Sequence, residues 1–254
     1  MGLGVHFPSN NTTAVSRRIV SQALHAVNPA KAIEAENESD WRSAFGEYFR
    51  YMVQAGLDSP EAAHAIALAG LTAAHDLMLF DNEPLSVMAE SPRSTFEFGT
   101  HEVRGTEPRM KGVAIPFRGQ SLQGQKLLDQ LRLWHGRGQV TSTFESAVEE
   151  VLDNPEWLNL EGDTIVMLGA LAETGPLRQL LAWGVDLVAV DMPTQLGSRQ
   201  LLGLAEGGSG RVRLPVRPEH MVEAATIGTN ISTELPELAH WLSAMDERLT
   251  LGHY

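Results

Sequence analysis

The residues best suited to chemistry lie in the last third of the chain. An apolar run, DTIVMLG (163–169), leads into a turn bracketed by Gly169 and Gly175, and TGPLRQLLAWG (174–184) follows. A second apolar run, VDLVAVD (185–191), ends in Asp191, 22 residues after Gly169. Short apolar runs of this kind predict buried parallel strands, and 174–184 predicts a helix ended by Gly184. Strand, glycine turn, helix, strand and acid, in that order, can cradle a nucleotide. A helix start offers unpaired N–H groups and partial positive charge. Glycine lets the backbone approach a ligand closely, and the terminal acid can accept hydrogen bonds from ribose hydroxyls. Leu171, Glu173 and Thr174 inside the turn, and Met192 beside the acid, would line the same cofactor.

On these residues the chain resembles the Rossmann dinucleotide-binding superfamily, in particular its short-chain dehydrogenase-like branch. The resemblance covers residues 160–254 and is strongest over 163–191. It implies an α/β fold with a Rossmann-like parallel sheet at the C-terminus. It also implies that Gly169 makes the tight turn, Gly175 lies under the helix start and Asp191 holds the adenosine ribose. The implied cofactor is NAD or NADP, and an acid with no arginine after it favours NAD. Leu171 and Thr174 stand where Gly-x-Gly-x-x-Gly has its second and third glycines, and no Tyr-x-x-x-Lys pair occurs. Proton transfer would then fall to Glu173, His101 or His135. The function implied is an NAD(P)-dependent oxidoreductase acting on a small-molecule substrate. Methyltransferases use the same topology, and S-adenosylmethionine carries a sulfonium and an ammonium in place of a pyrophosphate. Glu173 would suit that cofactor, whereas it would repel a pyrophosphate. A non-catalytic interaction or sensing module is the third reading.

Six of the 19 basic residues fall within residues 93–126. Among them Arg104, Arg109 and Arg118 are candidates to receive a phosphate or carboxylate of the substrate. Glu97, Glu102 and Glu107 are interleaved, so a salt-bridged surface is the alternative. His64 and His75 share a helix face about 16 Å apart, too far for one metal ion, and core or capping roles suit them. No zinc-ligand spacing occurs, and the absence of cysteine excludes disulfides, thiolate sites and a cysteine nucleophile. There is no Gly-x-Ser-x-Gly elbow and no Walker loop.

These residues need a scaffold, and 254 residues suffice for one large domain or two small ones. A net charge of −13 argues against broad nucleic-acid binding. The pattern predicts a mainly helical region, 1–138, and all or part of a Rossmann-like domain, 139–254. Helices are expected over 13–27, 40–55 and 59–81, with a connection at 28–39. The apolar 62–80 stretch reads as a buried helix of a helical layer, not a membrane span. The Pro/Gly-rich segment 82–121 holds two short expected strands, 94–103 and 112–117. Helices follow at 121–135 and 143–152, then the strand–turn–helix unit, a strand at 211–216, a helix at 236–245 and a strand at 249–252. The N-terminus lacks the basic start and apolar run of a signal peptide, so a cytoplasmic location is expected. Half a doubly wound sheet would leave a strand edge open, which favours a homo-oligomer or a longer parent chain.

Overall fold

The computed structural model describes residues 4–8, 12–90, 92–220 and 226–254. The N-terminal residues read for a leader thus lie partly outside the described ones. The chain divides into two compact units, Met1–Thr95 with Ile231–His240, and Phe96–Asn230 with Trp241–Tyr254. Residues 96–138 belong with the second.

The first unit runs β1(Val5–His6), α1(Thr12–His25), α2(Pro29–Asn37), α3(Trp41–Asp58), α4(Pro60–Leu77), β2(Leu79–Phe80), β3(Glu83–Pro84) and α5(Leu85–Glu90). The three short strands pair antiparallel in chain order. Helix α2 occupies the stretch expected to be a connection. Proline is why: Pro29 sits in the first turn, where its missing N–H costs nothing, and Asn28 Oδ1 caps Lys31 N at 3.0 Å. Val20 and Leu24 of α1, Ala32 and Ala35 of α2, and Trp41 and Tyr48 of α3 form one apolar cluster. The Trp41 and Tyr48 rings stack at 5.6 Å.

The Tyr48 hydroxyl donates to Glu38 Oε2 at 3.1 Å. Burial, then the Glu38 carboxylate, pushes the phenol above its ordinary pKa. A raised folded pKa favours the neutral phenol in the native state. This contribution is therefore fully present below the unfolded value of about 10 and is lost as pH climbs through the folded one. Thermal melts carried upward from about pH 10 should show this loss, and Tyr48→Phe should flatten the alkaline slope. An unchanged slope in Tyr48→Phe would assign the loss to other groups.

Helix α4 is not the buried helix that its apolar sequence suggests. Of its 18 residues only Ala73 is buried. Small residues make its contacts: a Cβ on Gly70 would lie 3.4 Å from the Ala23 Cβ of α1, and Ala63 lies against Gly56 of α3. The opposite stripe, with Leu68 and Leu71, stays open. His64 and His75 lie on this exposed side rather than in the core. Alanine is a strong helix former whether buried or not, so an alanine-rich run fixes helicity without fixing burial. Among the described residues no helix is long and apolar enough to cross a membrane.

The second unit holds β4(Gly99–Arg104), β5(Ala114–Phe117), β6(Gln120–Gln123), α6(Gly124–Gly136), α7(Ser142–Asp153), β7(Thr164–Leu168), α8(Leu177–Trp183), β8(Asp186–Val190), α9(Gln195–Glu206), β9(Arg211–Val216), the end of α10(Leu235–Ser243) and β10(Leu249–His253). Five strands form one sheet in the order β10-β7-β8-β9-β4. The first four are parallel, and β4 joins β9 antiparallel. The unit is thus mixed α/β around a mixed five-stranded sheet. Part of the Pro/Gly-rich segment returns to this sheet as β4. Its other expected strand pairs instead in the β5–β6 hairpin, which packs with Leu127 and Leu131 of α6.

The central runs are apolar because the sheet is covered on both faces. On one face Met167, Leu187, Val212 and Leu214 meet Leu177 and Leu181 of α8 and Leu201 of α9. On the other, Trp241 Nε1 donates to Thr100 Oγ1 at 3.0 Å. Two arginines on the sheet, Arg211 and Arg213, are ion-paired, although Arg213 Nε is buried without a partner. Arg211 binds Asp186 at 2.5 Å, and Arg213 binds Glu247 and reaches Thr164 Oγ1 at 3.4 Å. The hydrogen bond that the Arg211 guanidinium donates to Asp186 Oδ2 holds it above its ordinary pKa against the opposing effect of burial.

Candidate functional site

Gly169 follows β7 directly, at the carboxyl ends of the parallel strands. Its φ is +83°, and a Cβ there would lie 2.7 Å from the Tyr254 backbone oxygen. Only glycine satisfies both conditions without strain. Tyr254 comes this close because its N–H extends the β10 ladder to Leu168 O at 3.0 Å. The N–H groups of Gly169 and Ala170 both bond Val190 O, at 2.9 and 3.0 Å. The turn is therefore tied to the end of β8.

Asp191 follows that same strand end and faces the turn. Its Oδ2 accepts from Leu171 N at 2.6 Å, and its Oδ1 accepts from Met192 N at 2.7 Å. The carboxylate thus staples the turn from within. Each oxygen keeps lone-pair capacity for a further donor. Leu171 is half-buried and reaches across to α9, where its Cδ1 lies 3.5 Å from a Cβ placed on Gly197.

An open cleft of about 320 Å³ lies beside the turn, lined in part by Leu171, Glu173, Gly175, Arg178, Gln200 and Leu204. Gly169, Thr174, Asp191 and Met192 are not among its lining residues. Met192 is exposed next to Asp191, and Thr174 is exposed on the turn. Helix α8 is only 7 residues long, and its N-cap Pro176 offers no capping side chain. The charge of the cleft therefore resides in the exposed side chains of Glu173 and Arg178.

The other expected site residues do not converge here. His101 pairs with Leu214 in the middle of edge strand β4. It shares a sheet face with Val103, while Thr100, Glu102 and Arg104 alternate to the other. His135 Nδ1 meets Glu145 Oε2 at 2.5 Å, joining α6 to α7. Of the three proton-transfer candidates, only Glu173 belongs to the turn. Arg104 is paired with Glu102 at 2.7 Å and stands opposite Arg211, at the beginning of β9. Arg109 donates to Leu158 O at 3.1 Å and packs against Gly184, which precedes β8. Both arginines thus stand at the amino ends of the parallel strands, about 15 Å of strand away from Gly169 and Asp191. Arg118 lies over the Phe117 ring at 5.1 Å, on the β5–β6 turn. Proximity in sequence to a basic run therefore does not make these three one anion site. Among the described residues no group of three or more His, Asp and Glu side chains is arranged to hold a metal ion.

Sequence reasoning passed over Arg178 and Gln200. The signal was present for Arg178, a cation in the first turn after the glycine turn. Gln200 enters only because α9 packs beside α8, which no spacing along the chain reveals. A scan against protein-family models finds no match for this chain, and searches of curated proteins and of solved structures find none either.

Proposed function

We propose that the second unit binds S-adenosylmethionine over the Gly169–Gly175 turn and serves a methyl transfer to a small-molecule substrate. The observation that carries this reading is that Glu173 and Arg178 line one open cleft beside the turn. A carboxylate and a guanidinium together complement the ammonium and carboxylate of an α-amino acid. Net anionic pyrophosphate gains from Arg178 but is repelled by Glu173, so the two largely cancel. The strand order β9-β8-β7-β10, with Asp191 directly after β8, supports a Rossmann-like arrangement in which β7 and β10 flank the switch point.

Residues fit such a guest in distinct ways. Asp191 has free lone pairs for ribose hydroxyls, Glu173 would receive the ammonium and Arg178 the carboxylate. When bound, the cofactor supplies an electrophilic methyl group on sulfur. The chain's own part is then orientation: the stapled turn holds the guest still, and the cleft leaves one side open to a nucleophile. Such a transfer needs no hydride acceptor and no fixed proton relay, which suits a site from which His101 and His135 stand apart.

Calorimetry with the full chain tests this directly. S-adenosylmethionine at 100 times its dissociation constant should add about 2.7 kcal/mol of stability. Glu173→Gln and Arg178→Ala should each weaken its binding about tenfold, a loss of one charge-assisted hydrogen bond. Stabilisation by NAD or NADP alone would overturn the proposal in favour of an oxidoreductase, the second reading, which the placement of Asp191 beside a glycine turn supports. No response to any of the three would leave an interaction module.

A further inference from the structure

Helices α3 and α4 of the first unit leave an apolar face open to solvent. On α3, Phe45, Phe49, Val53 and Leu57 recur every four residues and are 48, 46, 63 and 80% exposed. On α4, Leu68 and Leu71 are 55 and 54% exposed. The two helices are adjacent and antiparallel, with Ala63 of α4 against Gly56 of α3, so the stripes form one continuous surface. Together these six side chains offer roughly 600 Å² of apolar area, at the upper limit of what a monomer leaves exposed. With its polar margins this approaches the roughly 800 Å² that each partner of a stable complex buries.

The margins carry opposite charges. Helical periodicity puts Arg42 and Arg50 beside the α3 stripe, and Glu61 and Asp76 on the far flank of the α4 stripe. All four are exposed, and none of them is ion-paired within the chain among the described residues. We propose that this face binds a second copy of the chain, forming a four-helix contact about a two-fold axis that runs along the helices. That axis lays α3 of one copy on α4 of the other and brings the basic flank against the acidic one. Arg42 and Asp76 lie at matching heights, because Gly56 sets the level of Ala63, so two ion pairs close the two margins. A two-fold axis across the helices would instead set α3 on α3 and crowd the arginine flanks together. Opposite flank charges therefore select both the partner and the orientation.

Sedimentation velocity over a range of concentrations, with the full chain, tests the proposal. A reversible dimer is expected. Val53→Lys should raise its dissociation constant about 30-fold or more while leaving the far-ultraviolet circular dichroism unchanged, since the residue is exposed. Arg42→Glu should weaken the dimer, and Arg42→Glu combined with Asp76→Arg should restore it; rescue separates pairing from mere surface change. A monomer at all concentrations would overturn the proposal, as would a dimer indifferent to Val53→Lys. A monomer whose face instead binds lipid vesicles would assign it to a membrane surface and overturn it equally.

Discussion

Gly228→Ala should cost the second unit about 3 kcal/mol or more, lowering its melting temperature by about 10 °C. The position has φ of +110°, and a Cβ on it would stand 2.2 Å from the Asp191 backbone oxygen. That neighbour is backbone and cannot swing aside. Asp191 O also accepts from Thr229 N at 2.9 Å, while Gly228 N donates to Pro215 O at 2.9 Å. The glycine thus latches the end of β9 to the end of β8. Methyl substitution would force the two apart, or flip the peptide and leave buried donors without acceptors. Gly203→Ala is the internal control. Gly203 lies within α9 with nothing within 4 Å of its Cβ position, so alanine there should be neutral or stabilising by up to about 1 kcal/mol. Urea unfolding of both variants checks the contrast. A Gly228→Ala loss no larger than a few tenths of a kcal/mol would mean that the latch yields easily.

What the sequence made legible was set by covering. Strands β7, β8 and β9 are buried on both faces, so their runs are continuously apolar and stand out. Strand β4 lies at an edge, among glycines and prolines, and its six residues alternate. Its existence could be read, but its return to the sheet beside β9 is a long-range pairing that local pattern does not encode. Helix α2 was hidden by Pro29, which marks a loop in one context and a helix start in another. Helix α4 shows the converse: its apolar content was plain, but nothing in an alanine-rich run says whether a neighbour covers it.

The candidate site divides in the same way. The spacing of Gly169 and Asp191 placed both at the strand ends, because strand and helix lengths are regular. It did not reveal that the Asp191 oxygens already serve Leu171 N and Met192 N, since a carboxylate reads alike whether it waits for a ligand or holds a turn. Arg104 and Arg109 were grouped by their distance along the chain. The antiparallel return of β4 carries Arg104 to the opposite end of the sheet from the turn.

Asp191→Ala should produce the second large effect, because one carboxylate is assigned two tasks. Its removal strips acceptors from Leu171 N and Met192 N. A half-buried donor without a partner costs about 1–3 kcal/mol, and water entering from the rim would offset part of that. The turn between Gly169 and Gly175 would then lose its staple, and S-adenosylmethionine binding should fall below detection. Asp191→Asn separates the two tasks. Its one remaining acceptor oxygen can still receive Leu171 N, so stability should recover by about half. The amide cannot match the charge of the carboxylate towards ribose hydroxyls, so affinity should stay about tenfold weaker than that of the unaltered chain. Chemical denaturation reads the first quantity and calorimetry the second. If Asp191→Asn regained affinity in step with stability, the residue would be a staple alone and the ribose would have to be held elsewhere. If Asp191→Ala still bound the cofactor at full strength, the guest would lie wholly in the cleft between α8 and α9, against Glu173 and Arg178, and the acid at the end of β8 would have no part in recognising it.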